Sequence, residues 1–183
     1  MIEIRWHGRG GQGAFTAARL LGLSASLFAG KFAMAFPSFG PERRGAPVLA
    51  FTKISESKIY DRSEIKICDY IVVLDHTLFQ EKMLNDLKPG GVIFINSDQA
   101  PKAFSVNHAE QIVTFDGTTA ALNVLGKPIT NTAMLGALIG YTSVISQEAI
   151  VQGIGREMKP SLVAKNIELV RLAYTSVETG CNT

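Results

Sequence analysis

Apolar positions along the chain follow two alternating patterns. Runs of strand length recur at residues 2–6, 48–54, 70–74, 92–95 and 112–115. Ile71-Val72-Val73-Leu74 and Val92-Ile93-Phe94-Ile95 are apolar on both faces, which suits parallel strands covered on both sides. Helix-period patterns lie between the strands at 14–29, 77–87 and 118–125. Pro89-Gly90-Gly91 stops one helical pattern and starts the next strand. The alternation predicts an α/β fold with a Rossmann-like, doubly wound, mostly parallel sheet. Residues 47–61 read differently: a strand at 48–52, a polar Ser55-Glu56-Ser57 turn and a second strand at 58–60 predict an antiparallel edge hairpin. From residue 130 the pattern turns helical. Asn131 or Thr132 caps a helix running to Gly140, Ser146 caps another with Glu148 in its first turn, and Pro160 opens a last helix to Val177. Gly136 and Gly140, one turn apart, permit close helix packing, either within the chain or at a subunit interface.

The length of 183 residues fits one domain, 1–183. At 46% hydrophobic and 19% charged residues the chain can bury a core. A net charge of +2 with no basic run gives no footprint for nucleic acid. The two cysteines, Cys68 and Cys181, form no C-x-x-C pair. They are too few for a zinc site or a cysteine-held iron–sulfur cluster. Cys68 sits in an apolar context and reads as core, and Cys181 lies in a tail. No charge-led apolar leader opens the chain, and the apolar stretches 14–29 and 133–145 are too short to span a bilayer. A cytoplasmic protein without membrane or nucleic-acid partners is the expectation.

The densest chemical signal is Gly8-Arg9-Gly10-Gly11-Gln12-Gly13, set between the first strand and a helix of small residues. Strand, glycine turn and helix N-terminus in that order make an anion site. Gly8, Gly10 and Gly13 fit G-x-G-x-x-G, the dinucleotide fingerprint. That fingerprint wants an acid about 20 residues on, at the end of the second strand. After Glu3 there is none until Glu42, and the expected second strand, 31–36, ends at Pro37. A nicotinamide dinucleotide is therefore not expected here. Two roles stay open for the loop: a phosphate or partner contact, or a turn that only lets the first helix pack.

The second unusual segment is Ser38-Phe39-Gly40-Pro41-Glu42-Arg43-Arg44-Gly45-Ala46-Pro47. Loops after parallel strands gather at the carboxyl edge of the sheet, so this one should lie beside Gly8–Gly13. Arg43 and Arg44 would clamp a phosphate or a partner's carboxylate there, or form a solvated pair on a structural turn. No catalytic residue stands out. His7 reads as a hydrogen-bonded structural residue more than a catalytic one. Asp75–His76 is suggestive, but adjacent side chains point apart.

Taken together, residues 3–13, residues 36–47 and Asn131-Thr132-Ala133-Met134-Leu135-Gly136-Ala137-Leu138 closely resemble the gamma subunits of the 2-oxoacid:ferredoxin oxidoreductases. Within that family they are most similar to those of the pyruvate enzymes, the pyruvate synthases. The resemblance implies a subunit of a complex that converts pyruvate and coenzyme A (CoA) to acetyl-CoA, carbon dioxide and reduced ferredoxin. It implies alpha, beta and delta partners that hold thiamine diphosphate, Mg2+ and 4Fe–4S clusters, with CoA as co-substrate. This chain has no cluster cysteines and no thiamine motif, so it would support assembly and help close the CoA site. The residues proposed for that role are Gly8, Arg9, Gly10, Gly11, Gln12, Gly13, Arg43 and Arg44. The alternative is a free-standing Rossmann-type nucleotide-binding oxidoreductase.

Overall fold

The structure, a computed structural model, describes residues 1–38 and 45–180. Six strands form one sheet in the order β2-β3-β1-β4-β5-β6: β1 Ile2–Arg9, β2 Phe32–Pro37, β3 Pro47–Ser55, β4 Cys68–Val73, β5 Leu87–Asn96 and β6 Ile112–Phe115. β1, β4, β5 and β6 run parallel, whereas β3 is antiparallel to both β1 and β2. The helices are α1 Ala14–Phe28, α2 Gly117–Leu125, α3 Asn131–Thr142, α4 Gln147–Glu157 and α5 Pro160–Gly180. The expected mixed α/β sheet, antiparallel edge and helical C-terminal part are all present. No described helix is long and apolar enough to cross a membrane.

The central strands carry apolar residues on both faces, and the two faces are covered differently. Ile4, Trp6, Val72 and Phe94 meet α1, α3, α4 and α5 in the larger core. Phe51, Ile71, Val73, Ile93 and Ile95 meet Ile65, Met83 and Leu84, with no α-helical residue in that second cluster. Short 3₁₀ turns at His76–Leu78 and Glu81–Asp86 do the covering. The helix expected at 77–87 is therefore absent. Phe79 and Leu87 take extended backbone, which spreads Leu78, Phe79, Met83 and Leu84 over the sheet face. A helix there would gather these side chains onto one stripe.

The expected hairpin at 47–61 also needs correction. β3 is one strand to Ser55, but residues 58–60 form no strand, and the antiparallel partner on the edge is β2. Lys53 explains the difference. It is 1% exposed on β3 and its ammonium binds the Asp61 carboxylate at 2.6 Å. That contact ties residue 61 to a β3 side chain in place of a strand ladder at 58–60.

The starts of α4 and α5 are as the sequence predicts, but that of α3 is not: Asn131 and Thr132 already lie inside the helix, and the N-cap is Thr130, with no side-chain capping hydrogen bond. Ser146 Oγ accepts from Ala149 N at 3.2 Å and Asp116 caps α2 through Thr119 N. Pro160 occupies the first turn of α5. Gly136 and Gly140 settle on intrachain packing. A Cβ at Gly136 would lie 2.6 Å from the Val170 carbonyl oxygen, and one at Gly140 would lie 2.5 Å from that of Tyr174. Both neighbours are backbone of α5 and cannot rotate away.

Two glycine-to-alanine changes should therefore differ in sign. Gly140→Ala forces α3 and α5 apart and is expected to cost about 1–3 kcal/mol. At Gly155 of α4 an added methyl group would meet nothing within 4 Å. Gly155→Ala should gain about 0.5–1 kcal/mol from helix propensity. Thermal melts of the two variants check both signs.

Candidate functional site

β1 delivers Arg9 to the carboxyl edge of the sheet, and the chain reverses into α1 through Gly10–Gly13. Gly11 and Gly13 have φ of +98° and +82°, a region that penalises any side chain. At Gly13 the space is closed as well: a Cβ would lie 2.6 Å from the Asn131 amide nitrogen. Gln12 folds back so that its Oε1 accepts from Arg9 N at 2.7 Å. The described end of the second glycine-rich segment, Gly45-Ala46, lies beside the first. Gly10 N donates to the Ala46 carbonyl at 2.8 Å and Gly45 N donates to the Gly10 carbonyl at 3.1 Å. Arg43 and Arg44 fall outside the described residues, as does Cys181.

Arg9 itself is committed. Its Nε donates to Asp75 Oδ2 at 2.8 Å, one terminal nitrogen to Thr77 Oγ1 at 2.9 Å and the other to the Gly45 carbonyl at 3.2 Å. Asp75 follows β4 and also accepts from Thr77 N and Thr77 Oγ1, with Gln12 Nε2 at 3.4 Å. Partial burial pushes the Asp75 carboxyl up, but hydrogen bonds from Thr77, Arg9 and Gln12 outweigh it and hold it below its ordinary range. The chain leaves β1 toward β2 and β3 but returns at β4 on the other side. The gap between β1 and β4 is thus the switch point at which open α/β sheets bind ligands. The Arg9–Asp75 pair bridges that gap. On the other side of β1 the neighbour is β3, whose first residue, Pro47, lies at this edge. No strand end there supplies the acid of a dinucleotide site.

Sequence reasoning weighed Asp75 only against His76. The findable signal was a lone carboxylate just past a parallel strand, with Thr two residues on to make an Asx turn. His7 is structural. Its Nε2 accepts from Arg5 Nε at 3.0 Å, and Arg5 continues to the Lys66 carbonyl and to Asp86 Oδ2 at 2.5 Å. Burial first and the Arg5 charge second pull the His7 imidazole down to about 4, against a smaller opposing pull from Asp86. Cys68 is core, its thiol pushed up to about 12 mainly by burial. Among the described residues no group of three His, Cys, Asp or Glu side chains is placed to hold a metal ion.

Residues 3–176 match the family model described as pyruvate ferredoxin/flavodoxin oxidoreductase. The chain is 44% identical over 178 residues to pyruvate synthase subunit PorC of Methanocaldococcus jannaschii, covering 97% of each. It is 41% identical over 182 residues to the pyruvate/ketoisovalerate oxidoreductases common subunit gamma of Pyrococcus furiosus, covering 97% of this chain and 98% of that one. The crystal structure of pyruvate oxidoreductase subunit PORC from Thermotoga maritima superposes with a TM-score of 0.81 at 34% identity, covering 95% of each chain.

Two titrations should be visible in stability. His7 titrates near 6.5 when unfolded and near 4 when folded. Between those values the unfolded chain binds more protons, so stability falls as pH drops through that window. The loss is on the order of 2–3 kcal/mol, and His7→Gln, which can still accept from Arg5, should largely remove it in melts at pH 7 and pH 4. Asp75 behaves as a carboxylate with a depressed value: its contribution is present above about pH 4 and is lost as pH falls further. Asp75→Asn should cost about 1–2 kcal/mol at pH 7 and progressively less below pH 4.

Proposed function

The chain belongs to the pyruvate ferredoxin/flavodoxin oxidoreductase family, and on that premise we propose that it is the gamma subunit of a multi-subunit pyruvate (2-oxoacid):ferredoxin oxidoreductase. The reaction is conversion of pyruvate and CoA to acetyl-CoA, carbon dioxide and reduced ferredoxin. The observation that carries this reading is likeness along nearly the whole length to relatives named as subunits of such enzymes. A free-standing nucleotide-binding oxidoreductase is not favoured, because the Arg9–Asp75 pair fills the crevice such a protein would use.

The chemistry-bearing groups belong on companion alpha, beta and delta subunits. Thiamine diphosphate with Mg2+ supplies carbanion stabilisation and 4Fe–4S clusters accept the electrons. This chain's residues do not fit a cluster: four thiolates are wanted, and it has two cysteines, of which Cys68 is a buried thiol with its Sγ turned to the Asp86 carbonyl at 3.6 Å. What it contributes is a rigid loop surface. Gly8, Gly10, Gly11, Gln12 and Gly13 form a fixed turn, Arg9 braces it, and Arg43 and Arg44 bring further positive charge in the segment between β2 and β3. Those two arginines with the start of α1 suit the phosphates of CoA or a partner's carboxylate. The complex is cytoplasmic in this reading.

The test is anaerobic purification of the tagged chain with its partners. Stoichiometric companion chains, iron–sulfur absorbance and dye reduction dependent on pyruvate and CoA are expected. A colourless chain without partners would overturn the reading. In the assembled enzyme, Arg43→Ala with Arg44→Ala should raise the Michaelis constant for CoA about tenfold or more, with the complex intact, if the loop meets CoA. Loss of assembly instead would assign both arginines to subunit contact.

A further inference from the structure

At one corner of the molecule α1, α3 and α5 begin while α2 and α4 end, and the surface there opens into a groove of about 320 Å3. Its apolar lining is Leu125, Ile129, Met158 and Leu162, set among the uncharged polar Thr16, Asn131, Ser161 and Asn166. Ile129 and Leu162 are half exposed, at 47% and 50%. Leu122, one turn before Leu125 on α2, is 47% exposed, and Phe15, beside the lining residue Thr16, is 39% exposed. The exposed Ile129 and Leu162 in this lining leave an apolar surface that water disfavours.

The rim carries one sign of charge. Lys127 and Lys165 line the groove, and no carboxylate does. Neither lysine forms an ion pair among the described residues, although eight such pairs are formed elsewhere. The positive ends of α1, α3 and α5 add to the field. The groove is also built in place. Gly126 ends α2 in the left-handed conformation, and Pro128 follows it. Asn131, on the groove wall, reaches across with its side-chain Nδ2 3.5 Å from the Gly13 carbonyl. The groove is thus continuous with the first glycine turn.

We infer that this groove is where a companion subunit docks, and that the element seated in it is an apolar segment carrying carboxylates. The inference rests on the subunit reading above. A second copy of this chain is a poor occupant, because a two-fold contact through the same patch would bring Lys127 and Lys165 against their own copies. An acidic, apolar partner segment instead satisfies both features together: its apolar side chains cover the walls and its carboxylates pair with the two lysines.

The test uses the complex. This chain is co-expressed with its companion subunits, as wild type, as Lys127→Glu with Lys165→Glu, and as Ile129→Asp with Leu162→Asp. All four side chains are exposed, so both variants should keep wild-type circular dichroism and melting temperature. The dissociation constant of the assembly is expected to rise at least tenfold in each, and the charge-reversed variant should lose the salt dependence seen in wild type. A photo-crosslinking residue at position 129 in an otherwise wild-type chain should capture a companion segment containing Asp or Glu among apolar residues. Unchanged affinity of both variants, in a complex that the wild-type chain forms normally, would overturn the docking face and leave the subunit reading standing. Crosslinking to a second copy of this chain would also overturn it. Failure of the wild-type chain to assemble at all would overturn both.

Discussion

The fold turns on one crowded point, the contact between Gly13 and Asn131. The chain must leave β1 and enter α1 within four residues, which puts Gly13 in the left-handed region with its missing Cβ facing an amide nitrogen 2.6 Å away. The same Asn131 is the first residue of α3, accepts from Thr132 N with its Oδ1 at 3.0 Å and points its Nδ2 at the Gly13 carbonyl. Two segments 118 residues apart are thereby fixed against each other. α1 cannot shift without moving α3, and α3 is locked to α5 through the bare backbone at Gly136 and Gly140. Position of the first glycine turn, registration of the C-terminal helices and shape of the groove between them are one mechanical unit.

Above that unit, the Arg9–Asp75 pair decides what the carboxyl edge of the sheet can do. In a doubly wound sheet the gap at the switch point is open for a ligand. Here a guanidinium and a carboxylate, each tied by further hydrogen bonds, hold β1, β4 and the start of the Pro47 strand together. The pair occupies backbone-adjacent positions at the switch point and braces the half-buried glycine loop.

Much of this was legible in the residues. Period-2 and period-3.6 apolar patterns, Ser146 and Pro160 located most strands and the late helices, but β5 begins at Leu87 and contains Pro89-Gly90-Gly91, which read as the stop before a strand at 92. Gly45-Ala46, the described end of the second glycine segment, meets Gly10 as expected, because a loop after a strand of this direction reaches that edge. What was not legible came from interactions between distant residues. Nothing local says that Lys53 will be buried and hold Asp61, so residues 58–60 read as a strand. Nothing local says that Leu78, Phe79, Met83 and Leu84 must spread over a sheet face, so their spacing reads as a helix. Asp75 was legible only beside His76 for the same reason: its partner Arg9 lies 66 residues away.

The two ends of the sheet divide the labour. At the amino edge Lys88 binds Glu3 and Asp69 at 2.9 and 2.8 Å, Glu3 N donates to Asp69 Oδ2 at 2.7 Å, and buried Lys53 joins Glu3 to Asp61 across the ring of Phe36. Desolvating Lys53 is costly unless its counter-charges are close, so this cluster specifies one register for β1, β3, β4 and β5 more than it adds stability. The Lys53 ammonium, with Ser63 assisting, holds the Asp61 carboxyl well below its ordinary range, so the pairing stays ionised in ordinary conditions. With register locked at that end, the carboxyl edge can carry the tight glycine turn and the groove beside it, whose positions a one-residue slip of the sheet would change.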